Sequence, residues 1–199
     1  MHAPVGSRRY HSPSGAAAGR RGCAAWRVAA LLACAGASVA RADAIRVGAG
    51  HGDSTDDYGV SIQLDRLDPI HEFEHWTVTG HAEFGGGEFQ GHRGAVSPNT
   101  VHALAAVWTL RLQHAPVGRV QPFVDFGIGG GGLSEVTING DRHFSSSFQF
   151  TEVLRTGIRF GARLQYELAI GAQHFSNAGL SRPNDGITYG GITAAWYWR

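Results

Sequence analysis

The chain has 199 residues, of which 43% are hydrophobic and 29 are glycine, and its formal charge is +1. Six arginines and both cysteines fall within the first 42 residues, which contain no acidic residue. The remainder sets 16 acidic residues against 11 arginines, a balance of −5, and holds no cysteine; that excludes a basic nucleic-acid-binding surface and disulfide stabilisation.

Residues 1–42 read as a secretory signal peptide with an overlong basic leader. The apolar run Val28–Ala40 is too short to span a bilayer and ends at Ala40-Arg41-Ala42, a small-residue cleavage pattern. Leu31-Leu32-Ala33-Cys34 resembles a lipoprotein processing site, but the apolar run continues for six residues past Cys34, where a polar stretch would be expected. Residues 43–199 are expected to form one domain.

Eight segments of that domain read as strands, over about 44–51, 56–66, 73–84, 102–112, 119–130, 147–160, 164–174 and 187–198. Apolar and polar residues alternate along them with period two. In the second, Tyr58, Val60, Ile62 and Leu64 oppose Ser61, Gln63 and Asp65; in the fourth, Leu104, Ala106, Trp108, Leu110 and Leu112 share a face. The sixth sets Phe148, Phe150, Leu154, Ile158 and Phe160 against Gln149, Arg155 and Arg159.

Such segments fit a soluble barrel with its apolar faces inward, or an outer-membrane barrel with apolar faces toward lipid and polar side chains inside. The odd connections, about 52–55, 85–101, 131–146 and 175–186, read as the longer set. His114-Ala115-Pro116-Val117-Gly118 and Gly161-Ala162-Arg163 read as tight turns, and Trp196-Tyr197-Trp198 places aromatics at the end of the last strand. Together these predict an all-β fold: an eight-stranded antiparallel transmembrane β-barrel of the bacterial outer membrane, its eighth strand closing on its first. Both termini are then periplasmic and the odd connections exterior.

Two motifs are set aside. His71-Glu72-Phe73-Glu74-His75 satisfies the H-E-x-x-H zinc pattern, but it follows Pro69 and runs into strand-like sequence, which separates the two histidines by about 13 Å. The glycine-rich run Gly127–Gly132 leads into no helix and is expected to be a flexible loop hinge rather than a phosphate loop.

The end of the seventh strand carries the chemistry. Counting in twos from Leu164 through Tyr166, Leu168, Ile170 and Ala172 reaches His174 and then Ser176, so a base and a nucleophile lie on the apolar face. Residues two apart on a strand have Cα atoms about 6.6–6.8 Å apart, a gap an imidazole bridges to a hydroxyl. Spacing alone leaves open a rim histidine and a loop serine that merely contact headgroups.

His174-Phe175-Ser176-Asn177-Ala178-Gly179, followed by Pro183-Asn184-Asp185-Gly186, resembles the lipid A 3-O-deacylase (PagL-type) family. The resemblance is strongest over residues 164–198 and extends, as strand count and loop lengths, to the rest of the domain. It implies an outer-membrane serine esterase that acts on lipid A of lipopolysaccharide, with His174 as general base and Ser176 as nucleophile. Asn177, Gly179 and Asn184 match positions linked to positioning and the oxyanion hole. The mechanism requires no cofactor or metal, and a homodimer is left open.

One position departs from the family: its acidic third member falls at Thr188. Asp185, nearby in the loop, and Glu152, which interrupts the lipid face of strand six, are the two candidate replacements. A turn centred on Ala162 would place Glu152 opposite Ala172 and diagonal to His174; its other reading is a headgroup or divalent-cation contact. The rival function is a non-catalytic barrel with a structural or adhesive role.

Overall fold

The computed structural model describes residues 43–65, 69–92, 94 and 100–198. The signal peptide expected over residues 1–42 lies outside them. Eight long strands make the wall: β1 (Ala44–Gly52), β2 (Thr55–Asp65), β3 (Trp76–Gly91), β4 (Thr100–His114), β5 (Val120–Leu133), β6 (Phe148–Phe160), β7 (Tyr166–Ser176) and β8 (Ile187–Tyr197). Each pairs antiparallel with its neighbours in sequence, and β8 also pairs with β1, from Ala44↔Tyr197 to His51↔Gly190. The sheet therefore closes and leaves no open edge.

Alternation decides which side faces what. Leu104, Trp108, Phe126, Ile128, Leu168 and Ile170 point outward and are 45–61% exposed, while Arg111, Asp125 and Glu167 point inward and are buried. A closed wall that is apolar outside and polar inside is the arrangement a bilayer demands, since every backbone group is satisfied within the sheet. The fold is the predicted eight-stranded transmembrane barrel.

The interior has two layers. Toward the rim of tight turns, Arg46, Arg111 and Arg155 interleave with Glu83, Asp125 and Glu167. Arg111 holds Asp125 through two bonds of 2.7 and 2.8 Å and reaches Glu167 at 2.8 Å. Tyr197 donates to Glu167 at 2.7 Å, and Arg46 bonds both Glu167 and Gln63. Three cations against three anions leave the layer neutral, the condition under which buried charge is tolerable. Toward the rim of long loops the lumen turns apolar: Phe89, Val101, Leu133, Ile138, Phe144, Phe175, Ile187 and Tyr189 pack into one cluster. Polar side chains persist beside this cluster: Gln149 and Thr151 are buried, and Gln173 donates to Thr151 Oγ1 at 2.9 Å. Ile138 and Phe144 of this cluster come from the 134–147 connection, which folds over the barrel mouth.

Other departures have local causes. The first connection is no long loop but the two-residue turn Asp53-Ser54, with φ of 50° and 57°, as a tight hairpin requires. β3 begins at Trp76, with His71–Glu72 folded back onto Val78 and Thr77, so the H-E-x-x-H segment forms no helix. It then runs seven residues past Phe84, through Gly85, Gly86 and Gly87. The run Gly127–Gly132 likewise belongs to β5 and is paired throughout with β4, not a hinge. Glycine here makes room: a Cβ on Gly129 or Gly131 would sit 2.1 Å from a carbonyl oxygen of β4.

The neutral layer yields a prediction. Glu167→Gln leaves Arg46 and Arg111 short of a carboxylate and lowers stability by about 3–5 kcal/mol. Urea unfolding in lipid vesicles measures this, and an unchanged midpoint contradicts the account of the layer.

Candidate active site

β7 turns Tyr166, Leu168, Ile170, Ala172, His174 and Ser176 outward, so the histidine and the serine stand at the strand's loop end on the lipid-facing wall. Phe175 between them points into the lumen, 4% exposed. Its ring meets Phe89 edge-on at 5.4 Å and stacks on Tyr189 at 6.4 Å. That anchor fixes the backbone from which both polar side chains project.

His174 lies between Thr188 of β8 and Glu152 of β6, its register partners on either side. Imidazole Nδ1 is 2.8 Å from Thr188 Oγ1, so the threonine occupies the place beside the ring that the sequence assigns to an acid. Behind it, the Thr188 N–H donates to Asp53 Oδ2 at 2.7 Å, and Arg142 holds the other Asp53 oxygen at 2.7 Å. Glu152 is directly opposite His174, not diagonal to it, and exposed on the same outer face. The five-residue turn Gly161–Gln165, with φ of 103° at Gly161 and 54° at Leu164, pairs Phe160 with Tyr166 and moves the register by two residues from the expected one. Asp185 is committed elsewhere: its Oδ2 accepts the His143 N–H at 2.8 Å.

The loop after β7 is built by its asparagines. Asn177 is 2% exposed and donates its amide to Ser145 Oγ at 2.8 Å and to Ser181 O at 2.9 Å. Its Oδ1 accepts the Gly179 N–H at 2.9 Å, while Asn184 Oδ1 accepts the Asn177 N–H at 3.0 Å. The side chain of Asn177 and the N–H of Gly179 are thus engaged within the loop. The backbone N–H of Ala178 donates to Ser176 Oγ at 3.4 Å. Ala178 and Gly179 both have positive φ, 55° and 75°, which turns the chain back toward the serine. Residue type does not single out Ala178, because its contribution is a main-chain group. Nor does it single out Asp53 and Arg142, which chain order places far from β7. His174 and Ser176 are not hydrogen-bonded to each other here: the imidazole is held by Thr188 and the hydroxyl by Ala178.

Gly186 closes the site behind the ring. It has a φ of +65°, and a Cβ there would lie 3.1 Å from His174 Cε1. Gly186→Ala is therefore expected to cost about 1–2 kcal/mol in backbone strain and to push the imidazole off Thr188. Nitrogen chemical shifts of the His174 ring report the displacement; unaltered shifts contradict it.

Known proteins share the family pattern and the fold. Residues 56–197 match the family described as lipid A 3-O-deacylase (PagL). Over 68 residues the chain is 37% identical to the lipid A deacylase PagL of Pseudomonas aeruginosa, an alignment that covers 34% of this chain and 38% of that protein. The chain thus spans about two fifths of the length of that relative. The crystal structure of the outer membrane enzyme PagL superposes with a TM-score of 0.68 at 21% identity, covering 77% of this chain and 98% of that one, a likeness of fold. Ail of Yersinia pestis aligns with a TM-score of only 0.34 at 12% identity, over 78% of this chain and 95% of Ail, and carries no argument. The family match takes in seven of the eight wall strands, both residues of the His-x-Ser pair and the loop that follows, and on that extent the chain belongs to the lipid A 3-O-deacylase (PagL) family.

Proposed function

We propose that the protein is an outer-membrane esterase that hydrolyses an ester-linked acyl chain of lipid A, with the rim of long loops at the outer leaflet. The observation that carries this is the pairing of His174 and Ser176 on the lipid-facing wall, at the end of β7. An esterase for aqueous substrates would place such a pair in a water-filled cleft; here the neighbouring outward residues Ile170, Leu168 and Phe150 offer apolar surface to acyl chains.

With Nδ1–H donating to Thr188 Oγ1, the Nε2 of His174 is an acceptor, the tautomer a general base needs. The Ser176 hydroxyl turns from the Ala178 N–H to Nε2 and gives up its proton as its oxygen attacks the ester carbonyl. The Ala178 N–H, which lies beside the nucleophilic oxygen and is released as the hydroxyl turns, donates to the oxyanion that develops on the former carbonyl oxygen. Collapse expels the alcohol, which takes the proton back from the imidazole, and leaves the acyl chain on Ser176. Water deprotonated by the same histidine then releases the fatty acid. Asn177, Gly179 and Asn184 act indirectly, by holding the loop that aims the Ala178 N–H. Thr188 orients the ring but brings no negative charge to the imidazolium. Glu152, directly opposite the ring, is the carboxylate best placed to supply it; Asp185 is occupied by His143.

Two measurements test the scheme. Ser176→Ala is expected to lower deacylation at least about a thousandfold, read as the lipid A mass profile of cells expressing the protein. A profile identical to wild type removes the enzyme reading and leaves a structural or adhesive barrel. Glu152→Gln is expected to lower kcat about tenfold, and adding Thr188→Glu to restore it, since a carboxylate then returns to the imidazole. Unchanged activity in Glu152→Gln removes that residue from the mechanism.

A further inference from the structure

A second polar cluster stands on the same outer wall, across β8 from the candidate site. The Asp56 carboxylate at the loop end of β2 binds one imidazole on each oxygen: His51 Nδ1 of β1 at 2.6 Å and His92 Nε2, just beyond β3, at 2.7 Å. Each ring keeps one nitrogen, His51 Nε2 and His92 Nδ1, that has no partner among the described residues. The two side chains are 69% and 50% exposed, with ring centroids 6.4 Å apart. No group of metal-ligating side chains with the arrangement to hold an ion occurs among the described residues, so the cluster is not read as a metal site. Among the described residues, the other titratable groups near it are Asp53, held by Arg142, Glu88, paired with His102 at 3.5 Å, and Tyr58.

The ground between this cluster and Ser176 is open. His51 pairs with Gly190, which pairs in turn with Ala172. A Cβ on Gly190 would meet nothing nearer than a backbone oxygen at 3.7 Å, so β8 is bare at that position, between the outward side chains of Thr188 and Ile192. β1 and β7 are two strand spacings apart, and Ser176 lies four residues beyond Ala172, which puts it roughly 16 Å from the His51 row, a separation that takes a headgroup of more than one sugar to bridge. With both imidazoles protonated the cluster carries one net positive charge and presents two outward N–H donors. That combination suits an anion with several oxygens.

We propose that His51, Asp56 and His92 form a phosphate-monoester site that seats the acidic headgroup of the glycolipid whose ester reaches Ser176. The proposal rests on the esterase reading above and extends it to the headgroup. Binding tests it without hydrolysis. Ser176→Ala protein in detergent micelles, labelled with nitrogen-15 in its histidines, is titrated at pH 6 with lipid A, with dephosphorylated lipid A and with inorganic phosphate. The phosphorylated lipid is expected to bind about tenfold more tightly than the dephosphorylated one and to shift the His51 and His92 ring resonances. Adding His51→Gln and His92→Gln, exposed positions where the amide retains a donor to Asp56, abolishes the preference. Equal affinity for the two lipids, or a preference that survives both substitutions, overturns the site. A response to inorganic phosphate with no preference between lipids overturns the headgroup assignment. The two Gln substitutions with Ser176 intact leave hydrolysis of a neutral p-nitrophenyl acyl ester unchanged; failure of wild type on that ester counts against the esterase reading, whereas the binding arms judge the headgroup site.

Discussion

The candidate site depends on a side chain that never reaches it. Phe175 is driven into the apolar layer of the lumen, against Phe89 and Tyr189, and in a strand that commitment sends both of its neighbours to the opposite side. His174 and Ser176 face lipid because the residue between them is buried. A slip of one residue in the pairing of β7 would put Phe175 into the bilayer and both polar groups into the lumen. The apolar plug therefore sets register as well as sealing the mouth. Ile187 and Tyr189 do the same for β8, and so present Thr188 to the imidazole.

Much of this was legible in the sequence because the barrel obeys a strict period of two. Tyr166, Leu168, Ile170 and Ala172 lead to His174 by parity, and parity survives small errors in strand ends. What failed were judgements about glycine and about turns. Gly85–Gly87 and Gly127–Gly132 resemble loops in composition, yet they are paired wall residues, and at Gly85, Gly87, Gly129 and Gly131 the neighbouring backbone passes too close for a side chain. The register between β6 and β7 was misjudged because positive φ at Leu164, a residue that seldom adopts it, lengthens the turn. The main-chain donor at Ala178 and the support that Asp53 gives Thr188 have no signature in residue type at all.

The two interior layers divide the labour. Guanidinium and carboxylate groups at the turn end make a buried strut in which removing any single charge is costly, while the loop end combines apolar packing with ties between connections. The loop end is also where the chain folds back on itself: Arg142 joins the 134–147 connection to Asp53, and Asn177 joins the loop after β7 to Ser145. Those ties cross between connections far apart in sequence, so the surroundings of Ser176 are assembled from three separate segments.

The outward placement of His174 and Ser176 has a kinetic consequence. A reactive pair on the membrane face of a barrel meets only what is dissolved in the surrounding leaflet, so its effective reactant concentration is a mole fraction within a two-dimensional fluid. Encounter is governed by lateral diffusion and by how crowded that plane is with inert amphiphile, and bulk concentration drops out of the rate law.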